Sequence, residues 1–171
     1  MRTRKTKQEF INDMQKRIEI RKTILSFVEN VYFPMMALKF DGKVYNVRFI
    51  KALNEEAKKI NELMSVSEGY GSDEIKIQLR LNQWNYNDYE AILLKLRFKD
   101  GRIDYDATVN DEVGKMWIEG FKSTIDEYQK SIDNYDDYMK VFEKLEEALK
   151  EYNDLPHSFR GHLDTSWMRI Y

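Results

Sequence analysis

An α+β fold with antiparallel strand pairing is what this sequence predicts, and three patterns in it carry the prediction. Residues 75–82 alternate Ile75, Ile77, Leu79 and Leu81 with Lys76, Gln78, Arg80 and Asn82, the two-residue period of a strand with one buried face. Asp100-Gly101 lies between two further strand-like stretches and is a pair favoured in two-residue hairpin turns, where both central residues need positive φ. From 118 to 142, Ile118, Ile125, Ile132 and Met139 hold one core position of a heptad, and Phe121, Tyr128, Tyr135 and Phe142 hold the other. Steps of three and four put these side chains on one helix face, which must be buried against something.

The expected architecture is a small antiparallel sheet, a hairpin plus a three-strand meander, with a long N-terminal helix, a middle helix and a very long C-terminal helix. Residues 6–32 read as the first helix, with Ile11, Met14, Ile18, Leu25 and Val28 on one face, Arg21 interrupting that face and Pro34 closing the helix. Residues 36–40 and 43–47 flank Asp41-Gly42 as a second hairpin signal. Residues 48–64 form the middle helix, with Ile50, Leu53, Ala57, Ile60 and Met64 spaced for burial; Gly69, Gly71 and Ser72 break the pattern after it. A two-residue turn at Asp100-Gly101 pairs Phe98 with Ile103, Leu96 with Tyr105, Leu94 with Ala107 and Ile92 with Val109 on one face. It sets Lys95 against Asp106 and Arg97 against Asp104 on the other, two opposite-charge pairs.

The last helix is expected over 113–153, roughly 40 residues and so about 60 Å at its rise per residue, ended by Leu155-Pro156. Phe159, Leu163, Trp167 and Ile170 give the tail, 155–171, apolar residues with which to pack down. The whole chain, 1–171, reads as a single α+β domain with this helix extended from it.

Composition narrows function more than it defines it. The chain of 171 residues is 42% hydrophobic and 34% charged, a balance that favours much exposed helix surface. Eleven Tyr and nine Phe argue against disorder, and zero Cys removes disulfides and thiolate metal sites, which points to a reducing cytoplasmic setting. The basic N-terminus lacks the apolar stretch of a secretory signal, and no apolar run is long enough for a membrane span. The seven glycines are too scattered for a phosphate loop, which disfavours kinases, NTPases and Rossmann dehydrogenases.

Charge is distributed unevenly. From Met1 to Lys22 eight cations face three acids, while from Glu119 to Asp154 eleven acids face five lysines. Glu119, Asp126, Asp133, Asp136, Asp137 and Glu143 flank the heptad seam, a row suited to a cationic surface on a larger protein. Trp84, Tyr86 and Tyr89, between two strands, are a second interface candidate, since Tyr and Trp concentrate at protein interfaces. Arg2, Arg4, Lys5 and Lys7 could instead neutralise nucleic-acid phosphates.

Three further groups carry residue types suited to catalysis or metal binding. His157, Arg160, His162 and Asp164 supply only two histidines, and a third ligand would have to come from elsewhere. Glu74-Ile75-Lys76 fits half of a nuclease metal site, but acids and lysines are common enough here for such triplets to arise by chance. Asp104 and Asp106 each have a cation opposite in the expected hairpin. The expectation is therefore a non-enzymatic accessory or inhibitor protein that binds a protein partner, needs no cofactor or metal and is able to form a homodimer. Usage rich in Lys, Asn, Ile and Tyr suits a phage or mobile element, where blocking a host or defence nuclease, as anti-CRISPR proteins do, is the concrete form. A nucleic-acid-binding regulator and a divalent-metal nuclease are the alternatives.

Overall fold

The computed structural model describes residues 5–37, 47–69, 75–82, 89–100 and 102–160. The chain is α+β, mostly helical with a three-stranded antiparallel sheet, and divides into two compact units, Met1–Gln129 and Lys130–Tyr171.

In the first unit, α1 spans Lys7–Phe27. It begins with a capping box: Thr6 Oγ1 accepts from the Glu9 N–H at 3.2 Å, and the Glu9 carboxylate accepts from the Thr6 N–H at 2.7 Å. That backbone bond, and after it the Thr6 hydroxyl donating to the same carboxylate at 2.9 Å, hold the Glu9 carboxyl below its ordinary value. Further along, Ile18, Ile24, Leu25 and Phe27 are buried. Pro34 does not close this helix as the sequence suggests. The chain widens into a five-residue turn, Val28–Tyr32, in which the Phe33 N–H reaches the Val28 carbonyl, and continues as α2, Phe33–Ala37. A proline has no N–H to give, and near the start of a renewed helix that donor is not needed.

Met36 and Ala37 thus lie in α2, and Val47 opens α3, Val47–Ile60, which removes both outer ends of the hairpin expected around Asp41-Gly42. The rest of that hairpin, 38–46, lies outside the described residues. Leu53 and Ala57 face the core from α3, whereas Ile60 is exposed and Met64 has passed into a strand.

The sheet runs β1 (Met64–Gly69), β2 (Ile75–Asn82), β3 (Tyr89–Leu96), in that spatial order. Its register pairs Val66 with Leu79 and Leu79 with Ile92, so Met64, Val66, Ile77, Leu79, Leu81, Ile92, Leu94 and Leu96 form one buried face. β1 replaces the strand expected at 102–109 as third member of the meander. Its edge is closed by Asn54 of α3, which donates to the Val66 carbonyl and accepts from the Val66 N–H, both at 2.6 Å.

The turn at Asp100-Gly101 does form: Asp100 has φ 52°, and Phe98 pairs with Ile103 as expected, within the two-residue strands β4 (Phe98–Lys99) and β5 (Arg102–Ile103). Beyond Ile103 the expected ladder is replaced by a helix, α4, Tyr105–Val109. Asp104 still donates its N–H to the Arg97 carbonyl at 2.8 Å, as the expected register requires, but its side chain caps α4, accepting from the Ala107 N–H at 3.0 Å. Thr108 Oγ1 takes the Arg97 N–H at 3.0 Å, in place of a ladder partner. Arg97 instead sends its Nη2 and Nε to Asp111 Oδ1, at 2.7 and 3.0 Å. The other Asp111 oxygen accepts from the Gly114 N–H at 3.2 Å and so caps α5, Glu112–Asp133.

The long C-terminal helix is present with one interruption. α5 stops at Asp133, Asn134 leaves helical geometry at φ −107° and ψ 19°, and α6 resumes over Tyr135–Asp154. Bonds from Asn134 N–H to the Lys130 carbonyl and from Tyr138 N–H to the Asn134 carbonyl, both 3.0 Å, carry the chain through. The second unit holds α6 and the short α7, His157–Arg160. No side chain of α6 is buried: Tyr138, Val141 and Leu145 are all exposed, and Leu149 and Tyr152 only half-buried. Arg160 Nη1 bonds Asn153 Oδ1 at 3.5 Å, which sets α7 beside the last turn of α6. Among the described residues, no helix is long and apolar enough to cross a membrane.

Candidate functional site

Within the first unit, α1, β3 and α5 enclose an open cleft of about 430 Å³. That lies inside the roughly 300–1,000 Å³ range of ligand sites. Its floor is built on Arg21, the residue that interrupts the apolar face of α1. Its guanidinium is held by Glu90 of β3, Nη2 to Oε1 at 2.8 Å, and stands 5.5 Å from the ring centroid of Phe121 and 5.0 Å from that of Tyr128. With a side chain 10% exposed, Arg21 is a cation removed from water, and the carboxylate and two ring faces compensate it. A longer bond of 3.5 Å runs from its Nη1 to the Arg17 carbonyl, and its Nε has no partner among the described residues.

The walls come from successive turns of α5. Val113, Met116, Trp117 and Phe121 supply apolar surface, and Thr124 adds a hydroxyl-bearing side chain to the lining. Gly120 leaves the gap between them: a Cβ placed there would meet nothing within 4 Å. Met116 is 73% exposed and Trp117 40%, so two large apolar side chains stand in water at the cleft mouth. Behind them, the seam residues Ile118 and Ile125 pack on the core and Phe121 is buried in it, which holds α5 in place. Gly114 brings this helix close to the sheet, where an added Cβ would stand 3.3 Å from Leu94 Cδ2.

α1 and α5 pack together in an antiparallel sense. Lys122 of α5 reaches Glu29 beyond α1 at 3.7 Å, while the buried α1 cation turns to β3 and to aromatic rings. Near the start of α1, burial pushes the Asp13 carboxyl up, but hydrogen bonds and charge from Lys5 and Arg17 outweigh it and hold the group below its ordinary value.

The residues singled out from sequence fall as follows. Glu119 and Asp126 are exposed on α5, in the first unit; Asp133, Asp136, Asp137 and Glu143 are exposed in the second. Glu119 lies 3.8 Å from Lys122, and Asp137 2.9 Å from Lys140. Trp84 and Tyr86 lie outside the described residues, and Tyr89 opens β3. Arg2 and Arg4 also lie outside them; Lys5 is bonded to Asp13 at 3.2 Å, and Lys7 is exposed on the first turn of α1. His157 is exposed on α7, while His162, Asp164 and Glu74 are outside the described residues. Among the described residues, no group of three or more His, Asp or Glu is placed to hold a metal ion.

Sequence reasoning missed the cleft, although one signal for it was visible. A charged residue inside an apolar helix face needs a buried partner, and Arg21 is such a residue. Comparison of the chain with known protein families, with curated proteins and with solved structures finds no match.

Proposed function

We propose that this chain is a non-enzymatic protein-binding accessory or inhibitor protein that holds its partner with the outer face of α5. The observation that carries the reading is the exposure of Met116 and Trp117 beside a cleft whose floor is fully built. Large apolar side chains in water are costly unless something covers them, and Trp and Met are enriched where proteins meet. Glu119 and Asp126 on the same helix suit a cationic partner surface. Blocking a host or defence nuclease from within a reducing compartment, in a phage or mobile element, is the specific form of this function.

The test is affinity capture from the native host lysate with immobilised full-length protein, followed by measurement of the purified partner's Kd. Trp117→Ala combined with reversal of Asp126 to Lys should weaken that Kd by at least about a hundredfold, as loss of a central aromatic anchor does. Equal affinity of wild type and variant would overturn the reading.

A further inference from the structure

We infer that Met116 is an oxidation site, at which a peroxide turns the mouth of the cleft from apolar to polar. The chain has no cysteine, so its eight methionines hold all of its sulfur, and a two-electron oxidant of sulfur has only thioethers to act on. The fold ranks those methionines by access. Met36 and Met64 are buried, at 3% and 1% exposure, and Met14, Met35 and Met139 are half-buried. Met116, at 73%, is the most open methionine among the described residues, and it lines the cleft with Trp117.

The reaction needs an open sulfur and no other group of the protein. The Met116 sulfur attacks one oxygen of hydrogen peroxide; an S–O bond forms as the O–O bond breaks. Sulfur gives up two electrons and becomes the sulfoxide, and the departing hydroxide takes the proton of the transferred oxygen and leaves as water. In solvent the new oxygen costs the core nothing. Beside Val113, Trp117 and the gap over Gly120, however, it sets a hydrated acceptor on an apolar lining, and whatever covers that lining must strip it of water. On the protein-binding reading above, on which this last step rests, oxidation loosens the partner, and enzymatic reduction to the thioether restores the hold.

The test treats full-length wild type and Met116→Leu with limiting hydrogen peroxide and locates the added oxygen by mass spectrometry of proteolytic peptides. Oxygen should accumulate at Met116 at least about tenfold faster than at Met36 or Met64, since oxidation follows exposure. The oxidised wild type should keep its circular dichroism melt. Its retention on a hydrophobic-interaction column should fall, and most of that fall should be absent from treated Met116→Leu, which keeps an apolar side chain of similar volume. Methionine sulfoxide reductases of both stereospecificities should return the retention to its starting value. For a partner captured as above, oxidised wild type should bind about tenfold more weakly, while treated Met116→Leu keeps its Kd.

Oxidation at Met116 no faster than at Met36 and Met64, equal loss of retention in wild type and Met116→Leu, or a melt that collapses when Met116 is oxidised would each overturn the inference. A partner Kd unchanged by oxidation would refute the loosening step while sparing the protein-binding reading. A Kd insensitive to the Trp117 variant would do the reverse, sinking that reading and leaving Met116 as the oxidation site.

Discussion

α5 and α6 carry the same heptad pattern, yet the two helices use it differently. On α5, Phe121 is buried and Ile118 and Ile125 pack against the core, while the neighbouring face, at Met116 and Trp117, is left open. On α6 no position is buried, and Tyr138, Val141 and Leu145 are all exposed. Periodicity creates a demand for burial, and the demand is met only where another element stands opposite. α5 finds the sheet and α1, held there by the Asp111 cap and by Gly114, which lets the helix approach Leu94. An equal pattern therefore does not mean equal energetic weight.

The largest expected contrast tests this directly. Phe121→Ala should destabilise by about 3–5 kcal/mol, since it opens a cavity and removes a ring from the buried Arg21 guanidinium. Val141→Ala, at a position 66% exposed, should stay within about 0.5 kcal/mol. Urea unfolding monitored by circular dichroism measures both, and comparable losses would show that α6 is buried against something after all.

A smaller contrast concerns acids on the two helices. Asp111, with its side chain 4% exposed, bonds Arg97 and caps α5, so Asp111→Ala should cost about 1–3 kcal/mol. Asp137 pairs with Lys140 but its side chain is 74% exposed, and Asp137→Ala should fall below about 0.5 kcal/mol in the same urea experiment. Similar values for the two would mean that Asp111 is not the anchor of α5.

The smallest contrast lies within α5. Gly120→Ala adds a methyl group to open space and should stabilise by about 0.5–1 kcal/mol, because alanine loses less backbone freedom in a helix. Gly114→Ala gains the same but forces Leu94 to shift, so its thermal midpoint should not rise. The reverse order in a thermal melt would contradict the placement of α5 on the sheet.

Much of the sheet was legible locally. Alternation marked β2, and Asp100-Gly101 marked the turn that pairs Phe98 with Ile103. β1 was not legible: serines occupy the alternate positions between Met64, Val66 and Glu68, and its edge is satisfied by the distant Asn54 side chain. The error at 102–109 has a local cause. Asp104 can cap a helix as readily as it can face a cation in a strand, and capping prevailed once Thr108 took the Arg97 N–H and Asp111 took its guanidinium. The cleft showed in the sequence only as an oddity, Arg21, because Glu90 and Phe121 lie far along the chain.

Short-range chemistry was enough to determine the α+β class, the alternation of β2, the seam of α5 and the tight turn at Asp100, because backbone geometry and side-chain alternation act over a few residues. Which apolar faces were covered, where the buried cation found its carboxylate, and that Met116 and Trp117 stayed in water were decided only by packing. Those outcomes depend on contacts between residues remote in sequence, and their energies exist only once the chain has closed around them.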